Sequence, residues 1–139
     1  MREILFRGKR VDNGEWVYGY YQNLCGFHEI VTENKEKSFS VITYQVMPET
    51  IEQFTGLTDK NGKKIFEGDI VKDEYNRIML VVWREEFYGY AFKLLSYDKE
   101  KYPWSNNFLF ASQLREWKGC LDVIGNIHDN PELLEKDNA

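Results

Sequence analysis

Residues 57–72, LTDKNGKKIFEGDIVK, constrain the fold of this chain more than any other stretch. Two breaks in regular structure fall close together in it. In Asp59-Lys60-Asn61-Gly62, carboxylate and amide side chains can bond nearby backbone amides, and Asn61-Gly62 tolerates positive φ. Glu67-Gly68-Asp69 breaks the chain again, and Ile70-Val71 then opens a β-branched run. Gly68 is expected where a side chain would clash, at a bulge or a sharp corner into a strand. The stretch therefore predicts a tight turn between extended segments, with Gly62 at positive φ, followed by a corner and a buried strand.

The rest of the chain repeats the theme of short apolar runs punctuated by turns. Ile4 to about Val11 reads as a strand, Asp12-Asn13-Gly14 as a hairpin turn, and Trp16–Tyr21 as the returning strand. Alternation puts Trp16, Tyr18 and Tyr20 on one face and Val17, Gly19 and Tyr21 on the other, so cover on both sides is expected. Glycines 8 and 19 would let neighbours approach closely. Phe27–Val31 and Ser38–Val46 follow as strands, the latter with Ser40, Ile42, Tyr44 and Val46 facing inward. Pro48–Thr55 fits either one or two helical turns stopped by Gly56 or an extended segment.

Beyond the central stretch, Ile70–Lys72 and Arg77–Trp83 read as strands joined by Asp73–Asn76, and Phe87–Leu95 as a third, interrupted at Gly89. Residues 96–107 read as a loop. Phe110, Leu114 and Trp117 have helical spacing, with Ser105 as N-cap and Gly119 as stop. Leu121–Ile127 is the last strand, and Asn130 is expected to cap a final helical turn begun by Pro131 and docked by Leu133 and Leu134, before a frayed end. The expected core joins Val71, Leu80, Val82, Ile124 and Ile127. Strands this short, with turns about every ten residues, predict a small barrel.

Composition narrows the function. Nine Tyr, nine Phe and four Trp in 139 residues favour sheet. They also supply more large rings than a small core readily hides, which points to an interface and to self-association. A net charge of −5 argues against phosphate-directed nucleic-acid binding, which needs a basic field. Lys60, Lys63, Lys64 and Lys72 are the nearest approach to a basic patch. Cys25 and Cys120 lack any C-x-x-C spacing and read as free, mostly buried thiols of a reducing cytoplasm. The start MREILFRGKRV has no apolar run and does not read as a secretory signal. No apolar run approaches the ~20 residues that span a bilayer.

Pro48–Val71 (PETIEQFTGLTDKNGKKIFEGDIV) and Val123–Leu134 (VIGNIHDNPELL), with the Met-Arg-Glu-Ile start, resemble the signatures of the YopX family of phage and prophage proteins. The resemblance implies a β-rich fold with an SH3-like barrel and a phage-type protein in the bacterial host cytoplasm. It carries no catalytic residues, because the family's function is unknown. The expected fold class is thus mainly β (β-rich α+β): N-terminal strands, then a small SH3-like barrel, with one or two short helices. The division falls into residues 1–57 and 58–139, with a shared core as the alternative.

His28 and His128 have no ligand partner at metal-site spacing, so surface histidines are expected rather than zinc ligands. Glu67 and Asp69, at i and i+2, are the most tempting acid–base pair. The competing role is structural, with Asp69 bonding backbone amides at the Gly68 corner. Trp83, Phe87, Tyr88 and Tyr90, with Tyr97, Tyr102 and Trp104 beyond, could line a protein-binding groove, stack bases, or fill the core. The reading is a non-enzymatic accessory protein without cofactor or metal. It would act by self-assembly, or by binding a phage or host protein, through Trp83, Phe87, Tyr88 and Tyr90. Asn61, Gly62, Gly68 and Asp69 form its structural motif. A nucleic-acid-binding accessory is the alternative, and an enzyme with an unrecognised site comes third.

Overall fold

A computed structural model describes residues 3–95, 108–110 and 120–135. It is mainly β, with two antiparallel sheets, and divides into two compact units at Gly56/Leu57. Among the described residues, helix is confined to two 3-10 turns and the short turn Glu132–Glu135. None is long and apolar enough to cross a membrane.

The first unit is built from β1 (Phe6–Lys9), β2 (Trp16–Leu24), β3 (Phe27–Glu33), β4 (Val41–Gln45) and the start of β5 (Glu52–Thr58). Strand order is β4-β3-β2-β1-β5. The Asp12-Asn13-Gly14 hairpin forms, with Asn13 Oδ1 accepting the Glu15 amide at 3.0 Å and Lys9 opposite Trp16. The chain past β1 then reaches the far side of β4: Arg10 bridges Val46, the Val11 amide donates to Gln45 and the Met47 amide to Lys9. The sheet is thereby curled toward closure around Ile30 and Val46, both fully buried. Gly19 has to be glycine, since a Cβ there would lie 2.1 Å from the Val31 carbonyl oxygen.

β4 keeps the expected phase, with Ile42, Tyr44 and Val46 more buried than Val41, Thr43 and Gln45. β2 does not. Its Val17/Gly19/Tyr21 face is covered, but Tyr18 and Tyr20 lie in solvent, so the expected cover on both sides is corrected to one. Bulk on both faces of a strand therefore did not mean burial on both. Pro48–Thr50 is a single 3-10 turn, and the extended alternative holds from Glu52 onward. Gly56 sits inside β5 at φ +91°, as at a bulge, rather than stopping a helix. Arg7 and Glu52, paired across β1 and β5, form a buried ion pair at 2.8 Å, and the guanidinium lies 4.6 Å from the Trp16 ring centroid. Both charges are matched, as burial demands.

The second unit holds the end of β5, then β6 (Lys64–Phe66), β7 (Asp69–Lys72), β8 (Ile78–Arg84), β9 (Gly89–Leu94), β10 (Phe108–Phe110) and β11 (Asp122–Asn126). β7 to β10 form an antiparallel meander, and β11 returns beside β7, giving the order β10-β9-β8-β7-β11. The core is Ile65, Val71, Met79, Val81, Phe92, Leu94 and Leu121. Two expectations are corrected here. On β8, Met79 and Val81 are buried while Leu80 and Val82 are only half-buried, one residue out of the expected phase. Ile124 and Ile127 are half-buried rather than central. A run such as IMLVVWR is apolar at every position, so its alternation cannot be read from side-chain type. Phe110 is the last residue of β10 and pairs with Ala91, not the start of a helix. Leu114 and Trp117 lie outside the described residues, as do Ser105, Gly119 and the whole 96–107 loop segment.

Candidate functional site

The two signature blocks meet in space within the second unit, and a single carboxylate joins them. Asp59 is buried, with Oδ1 accepting the amides of Asn61 and Lys63, each at 2.8 Å. Its Oδ2 accepts the amide of Val123, 64 residues away, at 3.2 Å. Burial pushes the Asp59 carboxyl up, but the amides of Val123, Lys63 and Asn61, with the Lys63 charge, outweigh it and hold the group below its ordinary value. The backbone of Lys60 donates to Leu121 at 2.8 Å, and the Asn61 side chain reaches Asp122 at 3.4 Å. Gly62 closes the turn at φ +80°. Strands β5 and β6 are extended on either side of it.

The same loop geometry recurs between β7 and β8. Asp73 Oδ1 accepts the amides of Tyr75 and Arg77 at 3.0 and 2.8 Å, and Asn76 takes the left-handed position at φ +62° that Gly62 takes in the first turn. An aspartate at the first position and a Gly or Asn three residues later make the loop, whichever strands it joins.

The corner at Gly68 is equally specific. Gly68 has φ +86°, donates to Val81 at 2.9 Å, and accepts from the Ile127 amide at 2.9 Å. Asp69 is buried, and its Oδ2 accepts the Phe66 amide at 2.8 Å. Glu67 is half-buried beside it. The second signature is a closed network of its own. Asn126 Oδ1 accepts the amides of His128 and Asp129, and Asn130 Oδ1 accepts the Asn126 amide at 3.2 Å. Asn130 therefore serves the preceding turn, where the sequence suggested a cap for the following helix. A Cβ on Gly125 would fall 2.4 Å from Asn130 Oδ1, so this glycine makes room for that bond.

These residues brace the turns and corners of the second unit, and exposed aromatics lie elsewhere on its surface. Trp83 and Tyr90 are cross-strand neighbours with ring centroids 5.0 Å apart, edge to face. Trp83 is 43% exposed, and Tyr88, at φ +50° in the link between β8 and β9, is 89% exposed. The side chain of Phe87 lies outside the described residues, as do Tyr97, Tyr102 and Trp104.

Exposed apolar side chains also gather on the first unit, away from the Trp83–Tyr90 segment that the sequence singles out. Tyr18, Tyr20 and Leu24 of β2 share a face with their cross-strand partners Val31 and Phe27 of β3, and Val41 of β4 extends it. Of these, Tyr18, Tyr20, Leu24, Phe27 and Val41 are exposed, Tyr20 at 66%. The charged side chains on that part of the face are Glu29 and Glu33.

The histidines and cysteines reverse their expected places. His28 is half-buried with Nδ1 2.6 Å from the Tyr21 hydroxyl, and His128 is half-buried too. Cys25 is exposed, at φ +53° in the two-residue turn between β2 and β3, and Cys120 is intermediate. Turn geometry overrode the usual burial of a free thiol. Among the described residues no group of three or more His, Cys, Asp or Glu could hold a metal ion.

The described residues thus form two β-rich units, the second braced by carboxylate-to-amide turns, and each bears exposed aromatics. The family model described as YopX protein matches residues 5–135, and the chain belongs to the YopX family. The crystal structure of protein EF1440 from Enterococcus faecalis is similar in fold. It aligns over 97% of this chain and 100% of its own, with a TM-score of 0.54 and 22% identity. No curated protein matches the chain.

Proposed function

We propose that this protein is a non-enzymatic phage-type accessory of the host cytoplasm that works by binding protein, in the first place a second copy of itself. The observation that carries this reading is the exposed apolar face of β2, β3 and β4. Tyr18, Tyr20, Leu24, Phe27 and Val41 all stand exposed on that face, interrupted by the Gln22–Glu29 pair and by Glu33, and large apolar side chains gathered on one open face mark an interaction surface. Trp83 and Tyr88 add a second, smaller aromatic patch on the other unit. The buried carboxylates support the non-enzymatic reading, since each has a structural task. Glu52 pairs with Arg7, Asp59 and Asp69 hold backbone amides, and Asp73 pairs with Arg77. The net charge of −5 disfavours nucleic acid as the partner.

Light scattering together with fluorescence anisotropy tests the reading. The expected result is a mass above that of the monomer, lowered by Tyr20→Lys or Tyr88→Lys, and no anisotropy change with single-stranded or duplex probes at about 150 mM salt. A monomer that binds a probe with steep salt dependence would replace this reading with nucleic-acid binding. A monomer that binds no probe would leave a foreign protein as partner.

A further inference from the structure

The geometry points to the outer edge of β4 as the self-association site: two copies pair their Val41–Gln45 strands antiparallel about a two-fold axis. This rests on the self-assembly reading above and adds the element and the register. The bonds Val46 N to His28 O and Asn34 N to Ser40 O fix which residues of β4 serve the β3 ladder, namely the even-numbered ones. The amide and carbonyl groups of Val41 and Thr43 therefore point away from β3. Among the described residues no strand lies beyond them; the bridge from Arg10 and Val11 engages only the Gln45–Val46 end.

Natural sheets guard such edges with short strands, bulges, charges or proline. Two other sheet-end strands follow that rule: β6 is three residues long, and β11 carries a register shift between Val123 and Gly125. β4 reads VITYQ, with no charge, no proline and an unbroken register against β3. It is left ready to pair.

In the two-fold register that sets Val41 opposite Thr43 of the second copy, both outward-facing residues find hydrogen-bonding partners. Toward Gln45 the edge is already held by Val11, so in this register the chain of the second copy leaves the ladder at Phe39, beside that end of the strand. Phe39 is fully exposed and held at φ +62°, a conformation unfavourable for a bulky side chain. A groove of about 360 Å³, lined by Arg10, Val11, Asp12, Thr43, Tyr44 and Gln45, lies along that end of the strand. The ring that has no place in its own unit thus meets a groove on the next. The apolar faces of the two copies would also become continuous through Val41.

Amide hydrogen exchange on the native chain across a concentration series tests the pairing, alongside sedimentation of two variants. Protection at Val41 and Thr43 is expected to rise with protein concentration. Phe39→Gly relieves the left-handed strain, so it should keep or improve the fold while weakening association at least ten-fold. Val41→Lys, which sets like charges near the axis, should do the same. An oligomer whose Val41 and Thr43 exchange does not respond to concentration, and whose mass survives Phe39→Gly, overturns edge pairing and leaves self-association standing. A protein that stays monomeric at every concentration overturns both. Should Val41→Lys fail to fold, the exchange of the native chain and the glycine variant decide.

Discussion

Replacing Asp59 removes a side chain that bonds the backbone of both signature blocks, so its effect can be worked out bond by bond. Asp59→Ala leaves three amides without their acceptor: Asn61, Lys63 and Val123. The first two sit in an exposed turn where water can replace the carboxylate, so each loses about 0.5–1 kcal/mol. The Val123 amide is partly buried in β11 and bonds a charged acceptor, and its loss is worth about 1.5–2 kcal/mol. The sum is ~3 kcal/mol, a large share of the 5–15 kcal/mol that holds a typical domain. With a urea slope of about 1.5 kcal/mol per molar, the midpoint should fall by roughly 2 M with little change in slope. Asp59→Asn separates the contributions. Its amide oxygen can still accept from Asn61 and Lys63, but its NH2 then faces the Val123 amide, donor against donor. That variant should lose about half as much and release β11 in hydrogen exchange. A loss below ~1 kcal/mol for the alanine variant would refute the assignment of Asp59 as the tie.

Acid should weaken the same tie. The folded Asp59 carboxyl lies below its ordinary value of about 3.9, so its stabilisation is full above that value and fades as pH falls through the lower, folded one. Asp59→Asn should therefore flatten the acid limb of the stability curve, and an unchanged limb would contradict the assignment. Gly62→Val should lower stability by at least ~1 kcal/mol through its positive φ, measured by urea unfolding; an equally stable variant would show that the turn relaxes. Met79→Ala should destabilise by about 2–5 kcal/mol and Leu80→Ala by clearly less, since only the first is fully buried; the reverse order would put β8 back in the other phase. The melting temperature should not move with reductant or chelator, and a fall of several degrees under EDTA would reveal a metal.

Turns were legible in the sequence because their chemistry is local. Asp59, Asn61 and Gly62 specify one another within four positions, and Asn13-Gly14 does the same for the first hairpin. Strand existence was legible for a related reason, since β-branched and aromatic runs between such turns have few alternatives. Strand phase was not. On β4 the alternation of Ser40, Ile42, Tyr44 and Val46 with more polar neighbours sets the phase, and the structure keeps it. On β8 every candidate is apolar, so what decides is the register against β7 and β9, where Met79 meets Val71 and Leu94. That information lies in residues 8 to 15 positions away and leaves no local trace.

The proposed interaction surfaces divide along the same line. Trp83, Tyr88 and Tyr90 stand out because aromatics cluster within a short segment, and the Trp83–Tyr90 contact is between strands joined by that segment. The face of β2, β3 and β4 is assembled from Tyr18, Tyr20, Leu24, Phe27 and Val41, spread over three strands and chosen by alternation on each. No window of sequence contains it. One signal did exist: β2 carries bulk on both of its faces, while a strand in a small sheet covered on one side can bury only one of them. Gly19, forced against the Val31 carbonyl, shows which face is packed inward. The tyrosines on the opposite face are then exposed by construction, and an exposed tyrosine face ending at an unguarded edge strand joins two features that each favour a protein partner.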